Sequence, residues 1–130
     1  MSLAGTVTKL KTTLNALPGV TEETPFGPGV LVYKVMGKMF ALTSVDNINS
    51  VSLKCDPHLA EILREQFEAV TAGYHLNKRH WNSVRLDLDV PEGEVLKQVA
   101  HSYDLVRASL TRKQKVELEV LASPGPGRSL

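Results

Sequence analysis

Residues 30 to 44, VLVYKVMGKMFALTS, constrain the fold of this chain more than any other stretch. Two runs rich in β-branched and aromatic residues meet at Met36-Gly37-Lys38-Met39, which reads as a hairpin. Glycine at the first central position suits a two-residue type II′ turn. That turn sets Met36 opposite Met39, Val35 opposite Phe40, Lys34 opposite Ala41 and Tyr33 opposite Leu42. One face of the pair is then Leu31, Tyr33, Val35, Phe40 and Leu42, and the other is Val32, Lys34, Ala41 and Thr43.

The flanking segments extend this hairpin into a sheet with helices. Val7, Leu10, Leu14 and Leu17 recur at helical spacing, so a first helix is expected from about Thr6 to Leu17, stopped by Pro18-Gly19. TEETPFGPG follows as a connector. Beyond the hairpin, a turn-like DNIN at 46 to 49 leads into a third strand, SVSLKC, with Val51, Leu53 and Cys55 inward and Ser52 and Lys54 outward. Asp56-Pro57 opens a second helix, with an acidic N-cap before proline at the first helical position. Its expected buried stripe is Leu59, Ile62, Leu63 and Phe67. Residues 74 to 90 supply one or two further strands, and after Pro91 a long helix places Val95, Leu96, Val99, Tyr103, Val106 and Leu110 along one side. VELEV at 116 to 120 suits a short strand or a helical extension, and ASPGPGRSL reads as a disordered tail. The sum is an α+β fold, a two-layer sandwich of an antiparallel sheet with helices on one face. One domain is expected over residues 1–113, with 114–130 as an extension.

The stretch HLNKRHWNSVRLDLDV, 75 to 90, locates the candidate site. Val84, Leu86, Leu88 and Val90 alternate with Arg85, Asp87 and Asp89, as in a half-buried strand. Continued backwards, that parity puts Trp81 on the side of Arg85, away from the core. The outward face then carries Lys34, Thr43, Ser52, Lys54, Arg79, Trp81 and Arg85. Separated cations around one aromatic suit phosphate contacts and a stacked base. The plainer reading is a solvated face, with a bulge at Asn82 or Ser83 swinging Trp81 into the core.

Other chemistries find little support. Lys and Arg number 15 against 14 Asp and Glu, so the net charge of +1 gives no global pull towards nucleic acid or cations. His58, His75, His80 and His101 fall on separate expected elements, and Asp87 with Asp89 lacks further oxygen ligands, so no metal and no cofactor is expected. Cys55 and several serines have no base tied to them, and Gly27-Pro28-Gly29 is a turn rather than a phosphate loop. No catalytic residue is assigned. No apolar run reaches the roughly 18 residues of a spanning helix, and no signal peptide is evident, which points to a cytoplasmic protein without a membrane partner.

LPGVTEETPFG at 17 to 27, VYKVMGKMFAL at 32 to 42, LNKRHWNSVRLD at 76 to 87 and SYDLV at 102 to 106 together resemble the MmcQ/YjbR family over roughly residues 6 to 113. The resemblance implies a fold of the frataxin/CyaY type. It also implies DNA binding, since members are described as predicted DNA-binding proteins, some with a double-wing motif. Iron handling, the alternative that a frataxin-like fold suggests, is disfavoured by Lys9 and Lys11 on the first helix. The leading expectation is a non-enzymatic module in which Lys34, Lys54, Arg79 and Arg85 meet phosphates, Trp81 stacks and Lys38 acts as a wing-tip cation. The runner-up is a protein- or small-ligand-binding adaptor that uses the same face without nucleic acid.

Overall fold

The computed structural model describes residues 3–44, 49–73 and 76–122. Its elements run α1 (Leu3–Ala16), β1 (Val20–Glu23), β2 (Val30–Val35), β3 (Lys38–Ser44), β4 (Ser50–Lys54), α2 (Pro57–Gln66), β5 (Val70–Ala72), β6 (Trp81–Arg85), α3 (Glu92–Ala108) and α4 (Arg112–Ala122). Six strands form one antiparallel sheet in the order β1-β2-β3-β4-β6-β5. The connection through α2 carries the chain past the β6 position to the far edge, and β6 fills the slot. Helices cover one face, with α3 across β2, β3 and β4, α1 over β1 and α2 over β5 and β6. The expected α+β class with an antiparallel sheet is what the chain adopts.

Local chemistry explains the boundaries. The Asp56 carboxylate accepts from the amides of His58 and Leu59, both at 3.1 Å, and Pro57 stands at the first turn where its missing N–H costs nothing. Thr111 and Gln114 form a reciprocal capping box that starts α4, each side chain bonding the other's amide at 3.0 to 3.1 Å. VELEV is therefore helical, and Leu118 is buried over Gly19, where an added Cβ would come within 2.5 Å of the leucine Cδ1. Gly19 also has φ 74°. Tyr103 closes the same corner by donating to the Pro18 carbonyl at 2.6 Å.

The core is made by Leu10 and Leu14 of α1, Leu63 of α2, and Val95, Val99 and Val106 of α3 against Tyr33, Val35, Phe40, Val51, Leu53 and Val84. Each such aliphatic side chain contributes about 1.5 to 3 kcal/mol on burial.

The hairpin departs from its expected register in two ways. Its turn residues are Met36 and Gly37, with φ of 50° and 84°, so Val35 pairs with Lys38. Positive φ at both positions is the type I′ pattern, whose twist matches the strands. Next, Lys34 pairs with Met39 but Tyr33 with Ala41, so Phe40 is an extra residue in a β-bulge. Phe40 is fully buried and meets the Tyr103 ring edge-on at 5.6 Å between centroids. Downstream of the bulge every side chain changes face. Thr43, expected outside, is buried and donates to the Ser50 carbonyl at 2.8 Å, while Leu42, expected inside, stands on the open face.

The bulge also interrupts the β3–β4 ladder, whose pairing stops at Ala41 and Leu53. Ser102 of α3, fully buried, fills the gap: its hydroxyl donates to the Phe40 carbonyl at 2.6 Å and accepts from the Lys54 amide at 2.9 Å.

Further differences lie in the connectors. β1 occupies the stretch taken for a connector, and β5 is a three-residue strand too short to show a period. β6 ends at Arg85 rather than at Val90, because the Arg85 guanidinium turns onto Asp87 and the Asp89 carboxylate turns back to the amides of Glu68 and Ala69, both at 2.8 Å. Leu88 is consequently exposed, as is Ile62 on α2. Residues 46–48 of the expected turn, positions 74 and 75, and the expected tail beyond 122 lie outside the described residues.

Candidate binding groove on the open sheet face

The register sets Leu42, Ser52 and Ser83 in one row across β3, β4 and β6 on the face away from the helices. Ser52 and Ser83 bond to each other through their hydroxyls at 3.0 Å. Around this row a groove of about 480 Å³ is lined by the apolar side chains of Val30, Met39 and Leu42 and by Ser44, Ser50, Ser52 and Ser83. Phe26 and Leu76 also line it. Phe26 is 67% exposed, in the β1–β2 loop that turns at Gly27, whose φ is 105°. None of the residues lining the groove carries a charge. The concavity can therefore hold an apolar body and match neutral hydrogen-bonding groups, with no ion to neutralise.

The residues singled out from sequence have varied environments. Lys34 stands on the open face but pairs with Glu23 at 3.3 Å, and Thr21 and Lys34 together hold the Glu23 carboxyl below its usual range. Lys38, beside the hairpin turn, donates to the Ser109 carbonyl at 3.0 Å. Arg85 makes a two-pronged bond to Asp87 at 3.1 and 2.7 Å, which lowers the pKa of Asp87 and raises that of Arg85. Lys54 lies on the open face and Arg79 in the exposed turn before β6, and neither forms an ion pair among the described residues.

Trp81 answers the question of parity in an unexpected way. β6 stays in register with β4 throughout, so Trp81 pairs with Lys54 on the side of Ser83 and Arg85. It is nevertheless only 8% exposed. Gly73 permits this, since a Cβ there would lie 2.7 Å from the Trp81 Cβ, and its amide bonds the Trp81 carbonyl at 2.8 Å. The exposed stacking platform expected at Trp81 is thus absent from this conformation, although no bulge breaks the strand.

Arg64 of α2 fastens the segment before Trp81. Its Nε donates to Asn82 Oδ1 at 2.7 Å and its Nη2 to the carbonyls of Lys78 and, at 3.3 Å, Trp81. Asn82 is buried on the helix side, and its Nδ2 reaches the Ala60 carbonyl at 3.4 Å. Burial pushes the Cys55 thiol up to about 11, so at neutral pH it is the protonated, unreactive form. Among the described residues no three His, Cys, Asp or Glu side chains gather as metal ligands. Asp89 is occupied by backbone amides, which depress its pKa, and Asp87 by Arg85. No described helix is long and apolar enough to cross a membrane.

Sequence reasoning missed the groove because Leu42 was assigned to the wrong face and Phe26 to a mere connector. The serines at alternate positions 50 and 52, with Ser83 in β6, were the available signal.

Among proteins of known sequence, the chain is 36% identical to YjbR of Escherichia coli K12 over 99 residues, which is 75% of this chain and 84% of that protein. It is 32% identical to YbdF of Escherichia coli O157:H7 over 100 residues, 76% and 82% of the two chains. In structure it matches the Deinococcus radiodurans protein DR2400, a DUF419 domain, with a TM-score of 0.80 and 37% identity over 87% of each chain. A Pseudomonas syringae protein with 20% identity and a TM-score of 0.62, covering 81% of this chain and 98% of that one, shares the fold. The YjbR family profile matches residues 15–105, and with these relatives it establishes that the chain belongs to the YjbR family.

Proposed function

We propose that this chain is a non-catalytic binding module whose open sheet face takes a small, uncharged, mostly apolar molecule. One observation carries the reading: the groove over Leu42, Ser52 and Ser83 has an uncharged lining and a volume of about 480 Å³, inside the range of roughly 300 to 1,000 Å³ typical of small-molecule sites. The apolar wall supplies affinity by leaving water, and the serine hydroxyls orient the ligand through neutral hydrogen bonds. Phe26, exposed at the rim, gains cover when a ligand arrives.

The test is titration of the methyl-labelled chain with uncharged aromatic and aliphatic fragments, read at the methyls of Val30, Met39 and Leu42. Saturable shifts that vanish in Leu42→Asp, with the rest of the spectrum intact, are the expected result. Fragments that leave those methyls unmoved up to their solubility would remove the groove from consideration.

Nucleic-acid binding is the second reading, and the lack of an acidic partner at Lys54 and Arg79 among the described residues favours it. Phosphate contacts by these two cations alone would give a log–log salt slope of about −1.8 on duplex DNA, at about −0.9 per contact. A Lys54→Gln/Arg79→Gln variant that keeps the wild-type slope would eliminate them as phosphate contacts.

A further inference from the structure

We infer that the outer face of α4 is an interaction surface for a second copy of this chain, bound antiparallel through its own α4. The helix is held to the body of the molecule at two positions one turn apart. Leu118 is buried over Gly19, and the half-buried Gln114 donates from Nε2 to the Met36 carbonyl at 3.4 Å. At 3.6 residues per turn, Val116 and Val120 lie on the side opposite Leu118. They are 54% and 67% exposed, a short apolar stripe turned to solvent.

The order of charges along α4 identifies what covers that stripe. The first half is basic, with Arg112, Lys113 and Lys115, and the second half is acidic, with Glu117 and Glu119. A helix dipole favours acids at the start and bases at the end, so this order opposes it. It also sets both i,i+4 pairs, Lys113 with Glu117 and Lys115 with Glu119, in the less favourable direction. None of the five forms an ion pair among the described residues. The arrangement works against an isolated helix. It suits an antiparallel neighbour of the same sequence, whose dipole runs the other way and whose acidic half lies on this basic half.

The two flanks of the stripe agree on one register. Lys113 and Glu117 border the valines on one side, and Arg112 and Glu119 border them on the other. In an isologous antiparallel pair each flank meets the same flank of its partner. Lys113 opposite the partner's Glu117 requires a two-fold axis level with Lys115, and Arg112 opposite the partner's Glu119 requires one midway between Lys115 and Val116. These differ by half a residue, about 0.75 Å along the helix. One axis therefore makes each ion pair twice, sets Val116 against its counterpart and lays Val120 on the aliphatic stem of the partner's Arg112. One face of an 11-residue helix falls short of the roughly 1,200 Å² total of stable complexes, so the dimer is weak and sensitive to salt. No residue of α4 lines the open-face groove, so the two sites stand or fall separately.

The experiment is sedimentation equilibrium of the full chain at neutral pH from about 10 µM to about 1 mM, in about 20 mM and about 500 mM salt. A monomer–dimer equilibrium is expected at low salt, with a dissociation constant at least about threefold higher at high salt. Lys113→Glu and Glu117→Lys should each weaken association at least about tenfold, because two attractive contacts become repulsive. Each reversal puts a charge where the helix dipole favours it, so the melting temperature should hold and lost association cannot be lost helix. Mixed in equal parts, the two variants should associate again, since the new acid of one meets the new lysine of the other. Val116→Lys, at an exposed position, should abolish association without unfolding the chain. A chain that stays monomeric at every concentration, a dimer that survives Val116→Lys, or charge variants that fail to weaken alone or to recover together would overturn the assignment.

Discussion

Ser102→Ala removes a single oxygen from the fully buried junction of α3 with the bulged strand. The oxygen serves two backbone groups that the interrupted ladder leaves over, the Phe40 carbonyl at 2.6 Å and the Lys54 amide at 2.9 Å. Alanine keeps the helix and fills nearly the same space, so the cost is the two unmade bonds. A buried group left without a partner costs about 1 to 3 kcal/mol. The Phe40 carbonyl has no route to water and takes the full penalty, whereas the Lys54 amide, in a half-buried residue, sits at the lower end. The sum is a loss of about 2 to 4 kcal/mol. Urea unfolding should report it as a lower midpoint at constant slope. Hydrogen exchange should place it, since the Lys54 amide would lose protection ahead of its neighbours Leu53 and Cys55. A loss below about 0.5 kcal/mol, with Lys54 exchange unchanged, would refute the bridging role.

Arg64→Met strands the buried Asn82 Oδ1 and should cost about 1.5 to 3 kcal/mol, because the lost bond has a charged donor. Adding Asn82→Leu should recover most of that, and strictly additive losses in the double mutant would show that the bond does not form in solution. Gly19→Ala forces alanine to φ 74° against Leu118 Cδ1 and should lose more than about 1 kcal/mol, of which Leu118→Ala relieves only the contact. Thr43→Val forfeits the bond to the Ser50 carbonyl at about 1 kcal/mol; a change below about 0.5 kcal/mol would return Thr43 to the surface. The Asp89 carboxyl, held below its usual range by the amides of Ala69 and Glu68, contributes stability that is fully present above its unfolded pKa and lost as pH falls through its folded one. Asp89→Asn should therefore flatten the stability profile below about pH 4, leaving the remaining slope to Glu23 and Asp87, and an unchanged acid limb would contradict the capping role.

The elements legible in the sequence were those specified by local chemistry. Asp56-Pro57 marked a helix start because the cap needs only a carboxylate two and three residues before two free amides. The helix stripes of Leu10, Leu14, Val95 and Val99 were equally plain, since a period of 3.6 survives any tertiary arrangement. What the pattern could not reveal depended on distant partners. The bulge at Phe40 is stabilised by Ser102, 62 residues away, and nothing near Phe40 announces it. β1 and β5 exist because β2 and β6 offer edges to pair with. Trp81 had the right parity and the wrong exposure, because its burial against Gly73 is a contact with the residue that follows the neighbouring strand β5. None of the five expected site cations is buried, but Lys34, Lys38 and Arg85 have partners that sequence spacing alone does not reveal.

The bulge links the fold to the candidate groove. In an unbroken hairpin with the same turn, Leu42 would follow Phe40 onto the helix side and Thr43 would face outward. One extra residue lets Phe40 and Ala41 both stand opposite Tyr33, so the core keeps the Phe40 ring against Tyr103, takes in Ala41 as well, and the parity of the rest of β3 reverses. Thr43 then finds its acceptor in the Ser50 carbonyl, which removes the cost of its hydroxyl in the core. Leu42, displaced to the other side, lies beside Ser52 and lines the groove together with the serines. A register defect that would be only a local kink elsewhere thus converts an ordinary solvated face into an amphipathic one. Ser102 stabilises that arrangement from the opposite layer, so its loss should weaken fragment binding at the Leu42 methyls as well as the fold.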